Sequence, residues 1–234
     1  MFSAYHIATI IFTIISIFFI ARYVNRGSLA RAKKWLIVIA LIAPLFDPIY
    51  WIWEWQSFGK LHFASTFPLY LCSLFWILMP LAVFLQPGKV RQVVLASLSS
   101  VVLSAVVLGF VLNTYLEHYP FFSFIPIRSL IYHYVAILGI TLLWSSGYYK
   151  PQPGDQWRSF IPVLILLVPA LLLNLYFGYD YAYTAGGKGT PIEILSNALP
   201  KPLYLLVLYG GWFLLNWLIF YRKTPIKQSA EETV

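Results

Sequence analysis

The chain has 234 residues, of which 60% are hydrophobic and only 10% are charged. Soluble domains carry about 25% charged residues, so this composition excludes an ordinary soluble enzyme and indicates a protein embedded in lipid. The formal net charge is +8, but the basic residues are dispersed among the loops, so we expect no nucleic-acid partner.

Seven apolar stretches each approach the roughly 20 residues that a helix needs to cross a bilayer. In chain order they are Ala4–Tyr23, Trp35–Trp55, Thr66–Gln86, Val90–Leu112, Ile127–Gly147, Arg158–Gly178 and Pro202–Tyr221. The loops between them are too short for a second domain. We therefore predict an all-α, seven-helix membrane bundle over residues 1–223, followed by a polar, disordered cytoplasmic tail over residues 224–234.

Basic residues are concentrated in alternate loops. Of the 16 lysines and arginines, 12 follow the first, third, fifth or seventh stretch, and the four exceptions are Lys60, Arg128, Lys188 and Lys201. The positive-inside rule then predicts an amino terminus outside the cell and a carboxyl terminus in the cytoplasm, as in a multi-pass protein of the plasma membrane.

With that orientation, polar residues on several stretches share one depth. Cys72 and His133 each lie six residues into a stretch that descends from outside, about 9 Å below the outer surface, and Asp47 lies about 12 Å below it. Three further polar residues mark the outer ends of the fourth and sixth stretches: Asn113, Asn174 and Asp180. Because ionisable groups in lipid are costly and mark functional sites, the sequence predicts an outward-facing site.

Cys72 and His133 together indicate nucleophilic catalysis. A histidine within reach can take the proton of a thiol, and a third group can hold the imidazole in the required tautomer. Asp47 or Asn174 could supply that third group. Structural explanations stay open, because a lone cysteine packs as a small apolar residue and Asp47 could bond backbone groups freed by the neighbouring prolines.

The other candidates would handle the substrate. Asn113, Tyr70 and Ser73 could donate to an oxyanion. Arg128 and Lys201 lie at headgroup level, where they could bind a phosphate or simply anchor the helix ends. The sequence has no HExxH motif or paired histidines, and we predict neither a metal site nor a cofactor.

Three short motifs resemble those of the YwaF-like family of bacterial membrane proteins. Residues 67–73 read FPLYLCS, which resembles the family signature Leu-Pro-Leu-His-Leu-Cys-Ser with Tyr70 in place of the histidine. Residues 177–183 read FGYDYAY and residues 199–204 read LPKPLY. These resemble its Gly-x-Asn-Tyr and Gly-Pro-x-Pro-x-Tyr elements, with Asp180 in place of the asparagine.

The resemblance implies a bacterial plasma-membrane protein that acts on lipids. Animal relatives of that family include a phospholipid acyltransferase thought to use a cysteine and a histidine, which correspond by motif and spacing to Cys72 and His133. We therefore predict a lipid acyltransferase or lipid ester hydrolase that does not use coenzyme A, with phospholipid or lysophospholipid as substrate. The alternative is a non-enzymatic binding or transport protein, in which Asp47, His133 and Asp180 anchor an amphipathic ligand.

Overall fold

The computed structural model describes residues 2–224, apart from the side chains at positions 65 and 66. Over this range the protein consists of helices and connecting loops, with no β-strand. The all-helical membrane class predicted from composition is therefore confirmed. The predicted disordered tail lies, except for Thr224, outside the described residues.

Seven helices longer than ten residues follow one another within the described chain. They are α1 (Ala4–Asn25), α2 (Leu29–Phe58), α3 (Leu74–Phe84), α4 (Lys89–His118), α5 (Phe124–Ser145), α6 (Asp155–Phe177) and α7 (Lys201–Tyr221). All except α3 are long and apolar enough to cross a membrane. With 11 residues, α3 rises only about 16 Å, roughly half the hydrocarbon thickness of a bilayer, so the seventh span stays a prediction.

Helices α4 and α5 form the centre of the bundle and pack against each other. Helices α1 and α2 pack on α5, α3 lies against α2 and α4, and α6 and α7 pack on α4. Large apolar side chains of α1, α2, α6 and α7 are exposed on the outer surface. In water such a surface would favour aggregation, whereas in a bilayer it faces the acyl chains.

Four of the long helices in the described chain depart from regular α-helical geometry: α6 is interrupted at residues 159–160, α7 ends in a π-helical turn at Trp217–Tyr221, and α2 and α4 are irregular near their middles. Helix α2 contains a 3-10 turn at Ala43–Leu45, where Pro44 removes a backbone donor. Helix α4 contains a π-helical turn at Leu98–Val102 and becomes irregular over residues 112–114. We call the end of the bundle where α1 begins and α4 ends the amino-terminal end. The opposite end, where α7 ends, is the carboxyl-terminal end. The irregular end of α4 therefore lies at the amino-terminal end of the bundle.

The third predicted stretch is helical only in its second half. We predicted a span from Thr66 to Gln86, but the backbone from Phe67 to Ser73 is irregular and a continuous helix begins at Leu74. Pro68 disfavours helical geometry in the residue before it. Irregular backbone at membrane depth is tolerated where it is buried in protein or lines a polar cavity, and this segment does line one.

Candidate functional site

A cavity of about 320 Å³ opens at the amino-terminal end of the bundle. The middle of α2, the segment before α3, the end of α4, the start of α5 and the loop after α6 enclose it. Eight of the ten candidate residues line it: Asp47, Tyr70, Cys72, Ser73, Asn113, Arg128, His133 and Asp180. Five of the six residues predicted to share one depth therefore line one cavity, and Asn174 is the exception.

His133 is held in one orientation by its own helix. Its Nδ1 lies 2.7 Å from the backbone oxygen of Ser129, one turn earlier on α5, and donates to it. The other ring nitrogen, Nε2, is buried and has no hydrogen-bond partner. With the proton on Nδ1, Nε2 carries a free lone pair, which is the form that a general base requires.

Gly109 on α4 makes room for this imidazole. A Cβ atom built on Gly109 would lie 2.6 Å from His133 Nε2, closer than real Cβ atoms approach other atoms. Only glycine therefore allows α4 to pass so near the ring. Gly109 also lines the cavity, so the unbonded nitrogen lies at the cavity wall.

Asn113 acts on the histidine through a serine. Asn113 Nδ2 donates to Ser129 Oγ at 3.2 Å, and Ser129 Oγ lies 3.4 Å from His133 Nδ1. The Asn113 side-chain oxygen accepts from the backbone N–H of Tyr115. The group that orients the ring is thus Ser129, mainly through its carbonyl, and the sequence signal for it was the four-residue spacing on one helix face.

Cys72 is half-buried and lines the same cavity as His133. Its backbone oxygen accepts a 2.9 Å hydrogen bond from the hydroxyl of Tyr132 on α5, which ties the irregular segment to the central helix. Because His133 Nε2 has no partner, the thiol and the imidazole are not hydrogen-bonded in this structure. Proton transfer between them would require a side-chain rotation.

Asp47 is paired with Arg128 and does not orient the histidine. Arg128 Nη2 lies 2.5 Å from Asp47 Oδ1, and both side chains are largely buried. Arg128 Nε donates to the backbone oxygen of Phe46, and the guanidinium lies 4.9 Å from the centre of the Tyr50 ring. The pairing places an almost neutral ion pair in the cavity wall, with Asp47 Oδ2 buried and unbonded.

The loop after α6 lines the cavity, and two of the predicted site residues hydrogen-bond to its backbone. Asp180 accepts from the backbone N–H groups of Ala185 and Gly187 at 2.8 and 2.6 Å. Asn174 binds both the N–H and the carbonyl of Tyr181, each at 2.9 Å. Asn174 is outside the cavity lining, with its amide committed to this loop.

The same loop contains two residues in left-handed backbone geometry, Ala182 with φ 52° and Tyr183 with φ 59°. Such conformations are costly for residues with a side chain. Hydroxyl groups of α7 stabilise them, because Tyr204 donates to the Tyr183 carbonyl and Tyr209 donates to the Ala182 carbonyl at 2.5 Å. The turn brings the Tyr183 side chain to the cavity.

Several cavity residues carried no signal in the sequence analysis. Tyr183, Lys188 and Thr190 come from the loop after α6, whose path cannot be read from composition. Burial raises the pKa of Tyr183 above its usual range, so its phenol stays neutral and can donate. Lys201, by contrast, lies exposed at the start of α7, outside the cavity lining.

Comparison with known proteins gives one match. A family model described as the TMEM164 family matches residues 1–221, a range that includes every helix and every cavity residue described above. No curated protein and no solved structure matches the chain. With nearly the whole chain covered by the model, this membrane protein belongs to the TMEM164 family.

Proposed function

We propose that this protein transfers acyl chains between membrane lipids, with Cys72 as the nucleophile and His133 as the general base. The observation that carries the proposal is the unbonded His133 Nε2 at the wall of the cavity that Cys72 also lines. A buried imidazole nitrogen without a partner is costly. A reacting group that the nitrogen contacts only during turnover would account for that cost.

In the proposed first half-reaction, His133 Nε2 takes the thiol proton as Cys72 Sγ attacks the carbonyl carbon of a phospholipid ester. The tetrahedral intermediate collapses, the C–O bond to glycerol breaks, and the leaving oxygen takes the proton from the imidazolium. The products are a lysolipid and an acyl thioester on Cys72. Ser129, which accepts from Nδ1, stabilises the imidazolium between the two transfers.

The second half-reaction reverses these steps with a new acceptor. The hydroxyl of a lysolipid gives its proton to His133 and attacks the thioester, and the thiol regains the proton as it leaves. Water in place of the lysolipid would make the protein a lipid ester hydrolase. Tyr70, Ser73 and the neutral phenol of Tyr183 line the cavity and are the candidate donors to the oxyanion.

An apolar groove of about 520 Å³ supports a lipid substrate. It lies between α3, α4 and α6, and its lining includes Pro68 and Leu69. These residues adjoin Tyr70 and Cys72 in the irregular segment, which therefore contributes to the polar cavity and to the groove. An acyl chain in the groove would hold its ester close to the thiol.

The side of the membrane decides the acyl donor. The positive-inside distribution of lysines and arginines would place the cavity on the outer face of a bacterial plasma membrane. Coenzyme A thioesters are cytosolic, so a membrane phospholipid is the proposed donor. Arg128 and Lys188, which both line the cavity, are the proposed contacts to its phosphate.

The test is to trap the thioester. The purified protein, reconstituted in vesicles of phosphatidylethanolamine and phosphatidylglycerol with radiolabelled acyl chains, should acquire label that neutral hydroxylamine releases. The Cys72→Ala variant should acquire none, and His133→Gln should reduce labelling at least 100-fold. His118→Gln, which removes an imidazole at the same end of the bundle, is the matched control. Equal labelling of all variants would eliminate the proposed chemistry.

Ligand binding without chemistry is the second candidate, and the missing Cys72–His133 hydrogen bond favours it. In that case the ion pair of Asp47 and Arg128, with its unbonded carboxylate oxygen, would hold a polar headgroup. Cys72→Ser would then leave lipid binding unchanged, and no protein-bound acyl group would form.

A further inference from the structure

A second polar cavity lies at the carboxyl-terminal end of the bundle. It has a volume of about 440 Å³ and forms where the loop between α3 and α4 faces the loop between α5 and α6. Four cationic side chains line it, namely Lys89, Arg91, Lys150 and Arg158. No aspartate or glutamate of the described chain lines it. The proposed acyl transfer does not involve this cavity.

Within the part of the chain that the structure describes, a carboxylate neutralises one of the four cations. Arg158 Nη1 lies 2.9 Å from Oδ1 of Asp155, which is fully buried behind the cavity. The second Asp155 oxygen accepts from Gln92, Tyr149 and the backbone N–H of Gln152, at 2.6, 3.0 and 2.9 Å. Asp155 therefore holds the cavity wall together and has no free oxygen for another cation.

The other three cations form no ion pair within the described residues. Arg91 is fixed in place, because its Nε donates to the Ala82 carbonyl at 2.9 Å and its guanidinium lies 4.8 Å from the centre of the Tyr148 ring. Lys89 and Lys150 are exposed at the cavity mouth. Among the described residues, three of the four cations at this cavity therefore have no carboxylate partner.

The start of α4 adds to this positive potential. Helix α4 begins at Lys89, its N-cap is Gly88 without a side-chain cap, and its first turn contains no acidic residue. The first N–H groups of a helix have no acceptor within the helix, and they lie at the positive end of its dipole. Gly88 and Lys89 at this helix start line the same cavity as the other cationic side chains, and helix starts are common binding sites for phosphate.

We propose that this cavity binds a phosphate-bearing anion, and that its source is the headgroup of an anionic phospholipid such as phosphatidylglycerol. The cavity lies at the helix ends, which is the level of lipid headgroups. An adjoining cavity of about 460 Å³ shares Arg91 and Tyr148 with it, and Leu29, Val83 and Phe84 are among its lining. The lining of that neighbouring volume is mixed, with Lys33 and Gln86 beside the apolar residues, and its apolar part could contact the glycerol and upper chain of the same lipid.

The test is to measure lipid binding to the full chain in detergent by native mass spectrometry, with phosphatidylglycerol and phosphatidylcholine titrated separately. The double variant Lys89→Gln with Lys150→Gln should bind phosphatidylglycerol on the order of 10-fold more weakly than the wild type. Arg91 and Arg158 are left intact because their bonds maintain the fold. Phosphatidylcholine, which has no net charge, should bind weakly to both proteins.

The matched control is Lys34→Gln with Lys223→Gln, which removes two exposed charges from the same end of the bundle outside both cavities. Its phosphatidylglycerol affinity should stay within twofold of the wild type. A second arm titrates inorganic phosphate by calorimetry. If the Lys89→Gln and Lys150→Gln double variant alone loses phosphate binding while its lipid binding is unchanged, the site belongs to a soluble anion. Equal weakening in both double variants, or weakening in neither, overturns the proposal.

Discussion

His133 owes its environment to two residues that contribute almost no side-chain volume to the cavity. Ser129 fixes the tautomer through its backbone carbonyl. Gly109 has no Cβ atom, and this leaves room for His133 Nε2 beside α4. The helical spacing of Ser129 and His133 is visible in the sequence. The approach of Gly109 is not, since it depends on how closely α4 and α5 pack.

Replacement of Gly109 by alanine should therefore disturb the imidazole specifically. The added Cβ would lie 2.6 Å from Nε2, so the ring must rotate away and lose its bond to Ser129, or the helices must separate. We expect at least a tenfold loss of hydroxylamine-sensitive acylation. Alanine is otherwise the better helix former by about 1 kcal/mol, so unfolding of α4 does not explain such a loss.

Gly210 on α7 provides the control for this substitution. A Cβ atom at Gly210 meets no atom within 4 Å, so Gly210→Ala changes helix propensity without a new contact. Both variants should remain monodisperse by size-exclusion chromatography. Full acylation by Gly109→Ala would show that the position of the His133 ring does not matter for the reaction.

The pairing of Asp47 with Arg128 shows the limit of arguments from depth. From the sequence, Asp47 is predicted to orient the histidine or to bond backbone groups freed by the prolines. Arg128 is predicted to bind a headgroup phosphate or to anchor the helix end. Helical rise gives the depth of each residue, but the rotation of α2 against α5 decides which side chains meet. That rotation depends on packing, which is encoded by many residues together.

At the scale of elements, the loop after α6 is the part of the site that sequence patterns describe least well. It resembled an ordinary glycine-containing outer loop, yet it covers the cavity with two residues in left-handed geometry. The strain is tolerated because Asn174, Asp180, Tyr204 and Tyr209 all bond to its backbone. Such long-range bonds have no periodic signature.

Removal of one of these bonds should loosen the loop. The Tyr209→Phe variant loses the hydroxyl that donates to the Ala182 carbonyl at 2.5 Å. We expect a loss of about 1–2 kcal/mol, seen as a lower thermal midpoint and as faster proteolysis between residues 178 and 192. Tyr176→Phe is the control, since Tyr176 on α6 is 81% exposed and its hydroxyl should not affect the loop. Identical proteolysis of the two variants would contradict this role for Tyr209.

Helix α3 shows that an apolar run long enough to cross a bilayer need not be one continuous helix. The composition of residues 66–86 suits lipid, and hydropathy alone predicted one continuous helix. Pro68 and the turns whose carbonyls belong to Tyr70 and Leu71 keep residues 67–73 irregular. A hydropathy profile does not register that break, although the proline in it was visible.

For the whole molecule, the all-helical membrane fold class is the easiest feature to predict, because it depends on composition summed over many residues. The orientation of the bundle remains a prediction from the positive-inside rule. Cys72 is the single cysteine, which makes this prediction directly testable. In a Cys72→Ser background, Lys188→Cys should react with a membrane-impermeant maleimide added to intact cells.

The opposite end supplies the matched position for this labelling. Lys150→Cys, in the same background, is equally exposed but should react only after the membrane is permeabilised. Both cysteines should react fully in detergent, which controls for local accessibility. Labelling of Lys150→Cys and not of Lys188→Cys on intact cells would invert the orientation, and with it the proposed choice of acyl donor.

Helix α3 is about half as long as the apolar layer around it is thick. Local thinning is one of the ways in which a bilayer adapts to a short hydrophobic element. Carbonyl groups of neighbouring lipids would then descend toward the irregular segment, and Cys72 would meet them without any lipid being lifted out of its leaflet. If Cys72 is the nucleophile, as proposed, acyl-chain length in the host membrane would then control access to the thiol, and longer chains would hinder it.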